Sequence, residues 1–289
     1  MVNNSINTMS INEAIVYGNK FINNSCVHSG SDARLLLAFV LGCDKLYLTL
    51  NRDKKLTCEQ QKTYIEYITR RANGEPLSYI TGVKEFMSLE FKVNKNVLIP
   101  RPETEHLVEL TLNWAKKQHC PSILDLCTGS GAIAVSLSYY LKNKARVYGA
   151  DISTDALETA QKNADYNNAN VDFFAMDALN FIEIPQKYDA VISNPPYIET
   201  DVINTLDANV KNYEPHIALD GGSDGLIFYK RITNNARKIL KPKGLLAFEI
   251  GHNQGDSVKK LMANNFYDVK IQKDLAGLDR IVYGYLKED

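Results

Sequence analysis

Asn194–Pro195–Pro196–Tyr197 closes a short apolar run from Asp189 to Ser193. Two consecutive prolines remove two backbone donors and forbid both helix and inner strand. The strand therefore stops there. An amide side chain, a free carbonyl on Pro195 and an aromatic ring are left at its carboxyl end, where open α/β sheets place their ligands. A second constellation lies upstream in Ile123–Leu124–Asp125–Leu126–Cys127–Thr128–Gly129–Ser130–Gly131–Ala132–Ile133–Ala134, an apolar run feeding a small-residue loop. Such a loop lets backbone approach a ligand closely, and the helix that follows offers free N–H groups. The next strand, from Arg146, ends in Asp151, 22 residues after Gly129, where an acid can accept hydrogen bonds from ribose hydroxyls. A third strand, Val171 to Ala175, ends beside Asp177. This order puts a nucleoside-like ligand over the first strands and Asn-Pro-Pro-Tyr over the fourth. A nicotinamide-dependent oxidoreductase would share the glycine loop and Asp151, but would not explain Asn194–Tyr197. A silent cofactor-binding adaptor would have no need of an intact Asn194.

The elements that must position these residues follow from pattern. From Ile123 strands and helices alternate, as in a parallel sheet covered on both faces. Ala156–Asn167 and Leu226–Leu240 read as helices, and Gly244–Ile250 as the fifth strand. Val258–Ala263 then reads as helix, and 266–272 and 280–286 as strands. Ile198–Leu219 is long and irregular, which marks a functional loop. Before the sheet, the first 75 residues read as a small helical bundle. Ile11, Ala14, Ile15, Phe21 and Ile22 form one apolar stripe. Ser31 is placed to cap 32–41, and Thr57 with Gln60 forms a capping box for 58–73. Phe86, Met87, Leu89, Phe91 and Val93 suggest a hairpin within a linker at 76–100. The expected division is a helical recognition domain at 1–75, that linker, and a ligand-binding domain at 101–289. Pro102 suits a helix's first turn, and Glu103 reads either as dipole compensation or as a substrate contact. Arg101 reads as a loop anchor or a surface ion pair. Glu249 reads as a polar strand end rather than a catalytic base.

The chain has 289 residues, 45% hydrophobic and 23% charged, with a net charge of −1. That composition is ordinary for a soluble globular protein and exerts no global pull on nucleic acid or anionic membrane. Residues 1–84 carry 10 Lys/Arg against 7 Asp/Glu, and the remainder 23 against 27. The mildly basic front end is compatible with a ribosome-associated or acidic protein partner, without demanding one. Five cysteines, at 26, 43, 58, 120 and 127, and five scattered histidines lack metal-ligand spacing. The cysteines read as reduced thiols in a cytoplasmic protein.

Together these motifs resemble the S-adenosylmethionine-dependent methyltransferases of Rossmann-like (class I) fold. Asn-Pro-Pro-Tyr narrows the resemblance to enzymes that methylate a planar nitrogen. Arg101–Pro102–Glu103–Thr104–Glu105, the segment Asp220–Gly221–Gly222–Ser223–Asp224–Gly225–Leu226 and the tail Asp274–Arg280 resemble the bacterial release-factor glutamine methyltransferases, the PrmC or HemK family. The resemblance implies S-adenosylmethionine as methyl donor, S-adenosylhomocysteine as product, and no metal. It assigns Cys127, Thr128, Gly129, Ser130, Gly131, Asp151, Asp177, Ala178 and Asn194 to the cofactor. It assigns Asn194, Pro195, Pro196 and Tyr197 to the substrate, with Asn194, Pro195 and Tyr197 catalytic. The implied substrate is the glutamine of the Gly-Gly-Gln loop in peptide chain release factors 1 and 2, methylated on its side-chain nitrogen by a monomer. The Asn194 oxygen and Pro195 carbonyl would accept the two amide N–H bonds while Tyr197 stacks on the amide plane. DNA adenine-N6 and RNA exocyclic-amine methyltransferases share the tetrapeptide and form the alternative, although no basic, aromatic-studded surface accompanies it here. The resemblance also implies an antiparallel last strand. Two departures stand out: Cys127 where the family usually has glycine, tolerable unless the position needs a positive φ, and Ala178 where some members carry an aromatic, implying a looser adenine wall.

Overall fold

The computed structural model describes residues 8–23, 31–180 and 186–288. Cys26, and His28 among the five histidines, lie outside them. The described residues form two compact units, one of Met1–Gly82 with Ala208–Tyr213, the other of Val83–Asp207 with Glu214–Asp289.

The first unit is helical: α1 (Ile11–Asn23), α2 (Asp32–Leu41), α3 (Lys45–Leu50), α4 (Cys58–Ala72) and α5 (Leu77–Thr81). Thr57 and Gln60 exchange the reciprocal bonds of a capping box at the start of α4. Ser31 precedes α2 but makes no side-chain cap, and its φ of −111° and ψ of −17° turn its hydroxyl out of capping geometry. The core joins Ile11, Ala14, Ile15, Ile22, Leu36, Leu37, Leu48, Tyr64 and Ile68. Phe21 departs from the expected stripe: it is 40% exposed and stacks on Tyr17 instead. Residues 77–81, expected in an extended linker, form α5 because Pro76 opens a helical turn and Gly82 closes it in the left-handed region. Asp32 and Arg71 are both buried and pair at 2.6 Å, so each charge is compensated.

The second unit opens with a hairpin, β1 (Val83–Phe86) and β2 (Leu89–Lys92). Its chain then passes through a 3-10 turn at Pro102–Thr104 into α6 (Glu105–Ala115). The sheet follows, in chain order: β3 (Ser122–Leu126), α7 (Ala132–Leu141), β4 (Arg146–Asp151), α8 (Thr154–Tyr166), β5 (Val171–Ala175) and β6 (Tyr188–Ser193). The expected irregular loop after β6 holds two short helices, α9 (Thr200–Ile203) and, within the first unit, α10 (Ala208–Lys211). Then come α11 (Ile227–Asn234), α12 (Ala236–Ile239), β7 (Leu240–Glu249), α13 (Gly255–Met262), β8 (Phe266–Lys273) and β9 (Asp279–Leu286). The single helix expected at 226–240 is thus broken at Asn235, and Leu240 already belongs to β7.

Strand order is β5-β4-β3-β6-β7-β9-β8, parallel from β5 to β7, with β9 inserted antiparallel to both neighbours. Alternation along the strands feeds two apolar layers. Ile123, Ala190, Ile192, Leu245 and Ala247 face Leu107, Val135 and Phe91. Leu124, Val191, Leu246 and Phe248 face Tyr229, Ile232 and Val258. All five residues of β3 are buried, as befits a central parallel strand. The hairpin completes the first layer through an edge-to-face pair of Phe86 and Phe91.

Candidate active site

The carboxyl ends of β3, β4 and β6 converge on one cavity. Its wall includes Cys127 and Gly129 after β3, Asp151–Ser153 after β4, Met176–Leu179 after β5, and Asn194 and Pro196 after β6. Asn96–Leu98, Ala156, Pro215, Ile217, Ala218 and Phe228 complete it. Two carboxylates, Asp151 and Asp177, and no lysine or arginine stand among these described wall residues.

Parallel pairing sets the strand ends level, with Leu126 opposite both Ala150 and Ser193. The Ser193 hydroxyl donates to the Leu126 carbonyl at 2.6 Å and locks the fourth strand where the motif begins. Asn194 is half-buried, and its Nδ2 donates to the Thr104 hydroxyl at 3.2 Å. Pro195 and Pro196 are buried. The Tyr197 carbonyl accepts from Gln254 Nε2 at 3.0 Å, and burial pushes its phenol up to about 12. The glycines of 220–226 now have a physical role. A Cβ on Gly225 would lie 2.5 Å from the Tyr197 carbonyl oxygen, and one on Gly221 2.7 Å from the Tyr197 Cα. Only glycine lets that segment brace the motif's backbone.

The loop after β3 is shaped by bonds behind the cavity. Thr128 donates to Asp125 at 2.6 Å, and Asn163 holds the Ser130 carbonyl at 2.9 Å. Asp125 is fully buried, one carboxyl oxygen has no partner among the described residues, and burial raises its pKa to about 7. Cys127 lies at φ +59°, so the condition on its tolerance is met and the position is strained for a side chain. Burial, with Asp151 nearby, pushes its thiol pKa up, which keeps it protonated and unreactive. Asp151 accepts from Gly129 N–H at 2.8 Å and from Ser153 N–H at 3.0 Å. Burial nonetheless raises its pKa. Asp177 accepts from Leu179 N–H at 2.8 Å and from Asn180 at 2.7 Å.

Of the residues assigned from sequence, the cavity wall brings together Cys127, Gly129, Asp151, Asp177, Ala178, Asn194 and Pro196. Thr128, Ser130, Gly131, Pro195 and Tyr197 are not part of that wall. Thr128 and Ser130 shape the loop from behind, and a Cβ on Gly131 would meet Ala160. Sequence reasoning missed Ile152, Met176, Leu179 and Phe228, which form apolar wall. Ile152 was discoverable as the neighbour of Asp151. Phe228 arrives on α11 after a long loop, and nothing local announces it. Arg101 and Glu103 part company. Arg101 pairs with the buried carboxylate of Glu214, which also accepts from Ile99 N–H at 3.3 Å, so it anchors the loop before Pro215. Glu103 is exposed.

Comparison with known proteins bears on this arrangement. Residues 13–82 match the model of the PrmC N-terminal domain, and 118–284 match that of a methyltransferase domain. A release factor glutamine methyltransferase of Clostridium acetobutylicum is 42% identical over 256 residues, 87% of this chain and 89% of the relative. That of Bacillus cereus is 36% identical over 285 residues, 96% of this chain and 100% of the relative. The chain belongs to the release factor glutamine methyltransferase family. The family carries a methyltransferase domain, and the chain is an S-adenosylmethionine-dependent methyltransferase. A methyltransferase of Pyrococcus furiosus, at 16% identity and a TM-score of 0.52, covers 80% of this chain and shares the fold. The relatives give the nucleic-acid alternative no support. No helix among the described residues is long and apolar enough to cross a membrane.

The cavity suits the family's cofactor. Apolar walls from Ile152, Met176, Leu179 and Phe228 fit a purine. Each Asp151 oxygen already accepts one backbone bond and has a further lone pair for a ribose hydroxyl. Two acids and no base among the described wall residues favour a sulfonium cation.

Proposed function

We propose that the chain methylates the side-chain nitrogen of the glutamine in the Gly-Gly-Gln loop of class I peptide chain release factors 1 and 2, acting as a monomer in the cytoplasm. The observation that carries the reading is Asn194. It stands at the end of β6 on the cavity wall, with its Nδ2 occupied by Thr104. One of its two N–H donors is spent on Thr104, and its Oδ1 is the acceptor this reading offers to the substrate.

A carboxamide nitrogen is a poor nucleophile because its lone pair is delocalised into the carbonyl, the resonance that flattens the peptide bond. The bound cofactor supplies an electrophilic methyl on sulfur. The chain's task is alignment and charge handling. Asn194 Oδ1 and the Pro195 carbonyl accept the two amide N–H bonds, fix the amide's rotation and favour positive charge as nitrogen becomes tetrahedral. Acceptors preorganised toward developing charge act as an inverted oxyanion hole. Holding the amide in line removes much of the entropic barrier. Tyr197 supplies an apolar face for the amide plane. The product nitrogen releases its proton to water.

The test is transfer of labelled methyl to purified release factor, with duplex DNA and ribosomal RNA as controls. Asn194→Ala should keep the fold and lose turnover by on the order of 100-fold. Wild-type turnover by Asn194→Ala would remove its role, and label on nucleic acid alone would remove the substrate.

A further inference from the structure

The segment Asp274–Arg280 turns the chain from β8 into β9 and stands outside the described wall of the cavity. Glu249 at the end of β7 pairs with Ile281, and the Ile250 N–H donates to the Arg280 carbonyl at 3.0 Å. Residues 274–279 therefore project beyond the carboxyl end of β7, the edge of the sheet that holds the cavity. Contacts tie this turn to the motif. A Cβ on Gly255 would collide with the Asp279 carboxylate. The residue before it, Gln254, donates to the Tyr197 carbonyl at 3.0 Å.

The turn is tightly bonded, and it holds apolar side chains in water. Asp274 Oδ1 accepts from Ala276 N–H at 2.9 Å and from Leu278 N–H at 3.0 Å, and the Asp274 N–H donates to the Leu278 carbonyl at 2.8 Å. Gly277 supplies the positive φ of 81°. The four charges of the turn pair with one another, Asp274 with Arg280 at 3.0 Å and Lys273 with Asp279 at 2.6 Å. Yet Leu275 is 97% exposed and Leu278 46%. A lone exposed leucine is ordinary. One fixed by backbone bonds on both sides, on a tip whose charges are already neutralised, is a preorganised apolar contact. The other exposed side chains agree. Among the described residues of the second unit, the large exposed aliphatics are Ile152, Val202, Ile217, Ile227, Leu275 and Leu278. Each lies in a segment leaving a strand's carboxyl end or in this turn at the same edge. Ile152 and Ile217 line the cavity, and the other four stand outside it.

An intact protein whose glutamine reaches Asn194 must bring its surface over this edge. We propose that the 274–279 turn is a docking point for the intact release factor, with Leu275 and Leu278 seated on an apolar patch of the domain that carries the Gly-Gly-Gln loop. This rests on the reading of that glutamine as the substrate. The turn is continuous with the site through Gln254 and Tyr197. Two leucines cover far less than the roughly 800 Å² per partner of a stable dimer, so a second copy of the chain is the poorer occupant. A substrate already held by its glutamine loop needs only a small second contact, because the two engagements are linked.

The experiment measures kcat and KM at saturating S-adenosylmethionine for intact release factor and for a short Gly-Gly-Gln peptide. The proteins are wild type, Leu275→Glu, Leu275→Met and the double variant Leu275→Glu with Leu278→Glu. Leu275→Glu should raise KM for intact release factor by about tenfold or more, the worth of one buried leucine. The double variant should raise it further. Leu275→Met, close in volume and apolarity, should stay within about twofold of wild type. Turnover of the peptide and the melting temperature should not change, since Leu275 is almost wholly exposed. An unchanged KM for intact release factor in the double variant would overturn the docking role and leave the substrate reading standing. Equal losses on peptide and intact protein would also overturn it, because they place the damage at the site. Wild-type self-association in sedimentation that Leu275→Glu abolishes, with release-factor kinetics unchanged, would give the tip to a second copy instead. Methyl transfer by wild type to neither substrate would remove the substrate reading and the docking role together.

Discussion

Cys127 and Glu249 show how a single residue's setting departs from its sequence appearance. Cys127 occupies a left-handed backbone conformation that costs a side chain about 1–2 kcal/mol. Glycine would relieve that cost but loses more entropy on folding and leaves less buried surface. Cys127→Gly should therefore melt within about 1 kcal/mol of wild type. Cys127→Val, β-branched at the same φ, should lose roughly 1–3 kcal/mol. Equal melting of the two variants by calorimetry would show that the backbone there relaxes. Glu249 carries a pH signature in stability. Its pKa rises from 4.5 to about 7 on folding because burial disfavours the charge. The protonated form is the one stabilised, so its contribution is complete below 4.5 and is lost as pH rises through about 7. Glu249→Gln has no proton to lose. Its melting temperature should gain on wild type between pH 4.5 and 8, and a constant difference across that range would contradict the burial argument. The types and order of Asn194, Asp151 and Gly129 were legible in sequence because they end strands. Thr104 was not legible, since nothing in its local sequence marks it and its partner lies 90 residues away.

The hairpin illustrates what an element reveals and hides. Its strands were legible from Phe86, Leu89 and Phe91, whose alternation follows the pleat. Its turn was not, because Met87 and Ser88 both adopt positive φ, 51° and 57°, without the glycine or asparagine that usually marks such a turn. Tertiary bonds hold it: Met87 N–H donates to Glu105 at 2.7 Å, and Tyr140 donates to the Met87 carbonyl at 2.6 Å. Asn163 then brackets Lys92 with bonds of 2.6 Å and 3.0 Å while also holding Ser130. One side chain thus joins hairpin and glycine loop. Ser88 is exposed, so Ser88→Gly relieves strain and removes little else. It should stabilise by about 0.5 kcal/mol after the entropy cost of glycine. A lower denaturation midpoint would show that the serine has a role its exposure hides. The short helices α9 and α10 escaped prediction for the opposite reason. Four residues carry too little periodicity to read.

At the scale of the molecule, alternation of strand and helix revealed the sheet. The reach of the helical unit to Gly82 and its share of 208–213 follow from packing that no local pattern encodes. We expect this unit to serve recognition of the intact release factor. A chain starting at Val83, with 208–213 replaced by a Gly-Ser link, should bind cofactor and methylate a short Gly-Gly-Gln peptide at the full-length rate. On intact release factor it should lose roughly 100-fold in kcat/KM, the penalty for losing a tethered second binding module. Parallel losses on both substrates would point to damage at the site instead.

The discontinuity of that unit also sets an order of events during synthesis. Among the described residues, every buried residue of the helical core lies between Ile11 and Ile80, so the core can collapse early from near neighbours. The Tyr213 hydroxyl, which donates to the Asn73 carbonyl at 3.0 Å, follows 140 residues later. At ribosomal speeds of about 5–20 residues per second, the nascent helices wait roughly 7–30 s for that last piece. Strands β3 to β6 of the sheet are made during that interval, and the helical unit receives its last piece only after the Asn-Pro-Pro-Tyr strand has emerged.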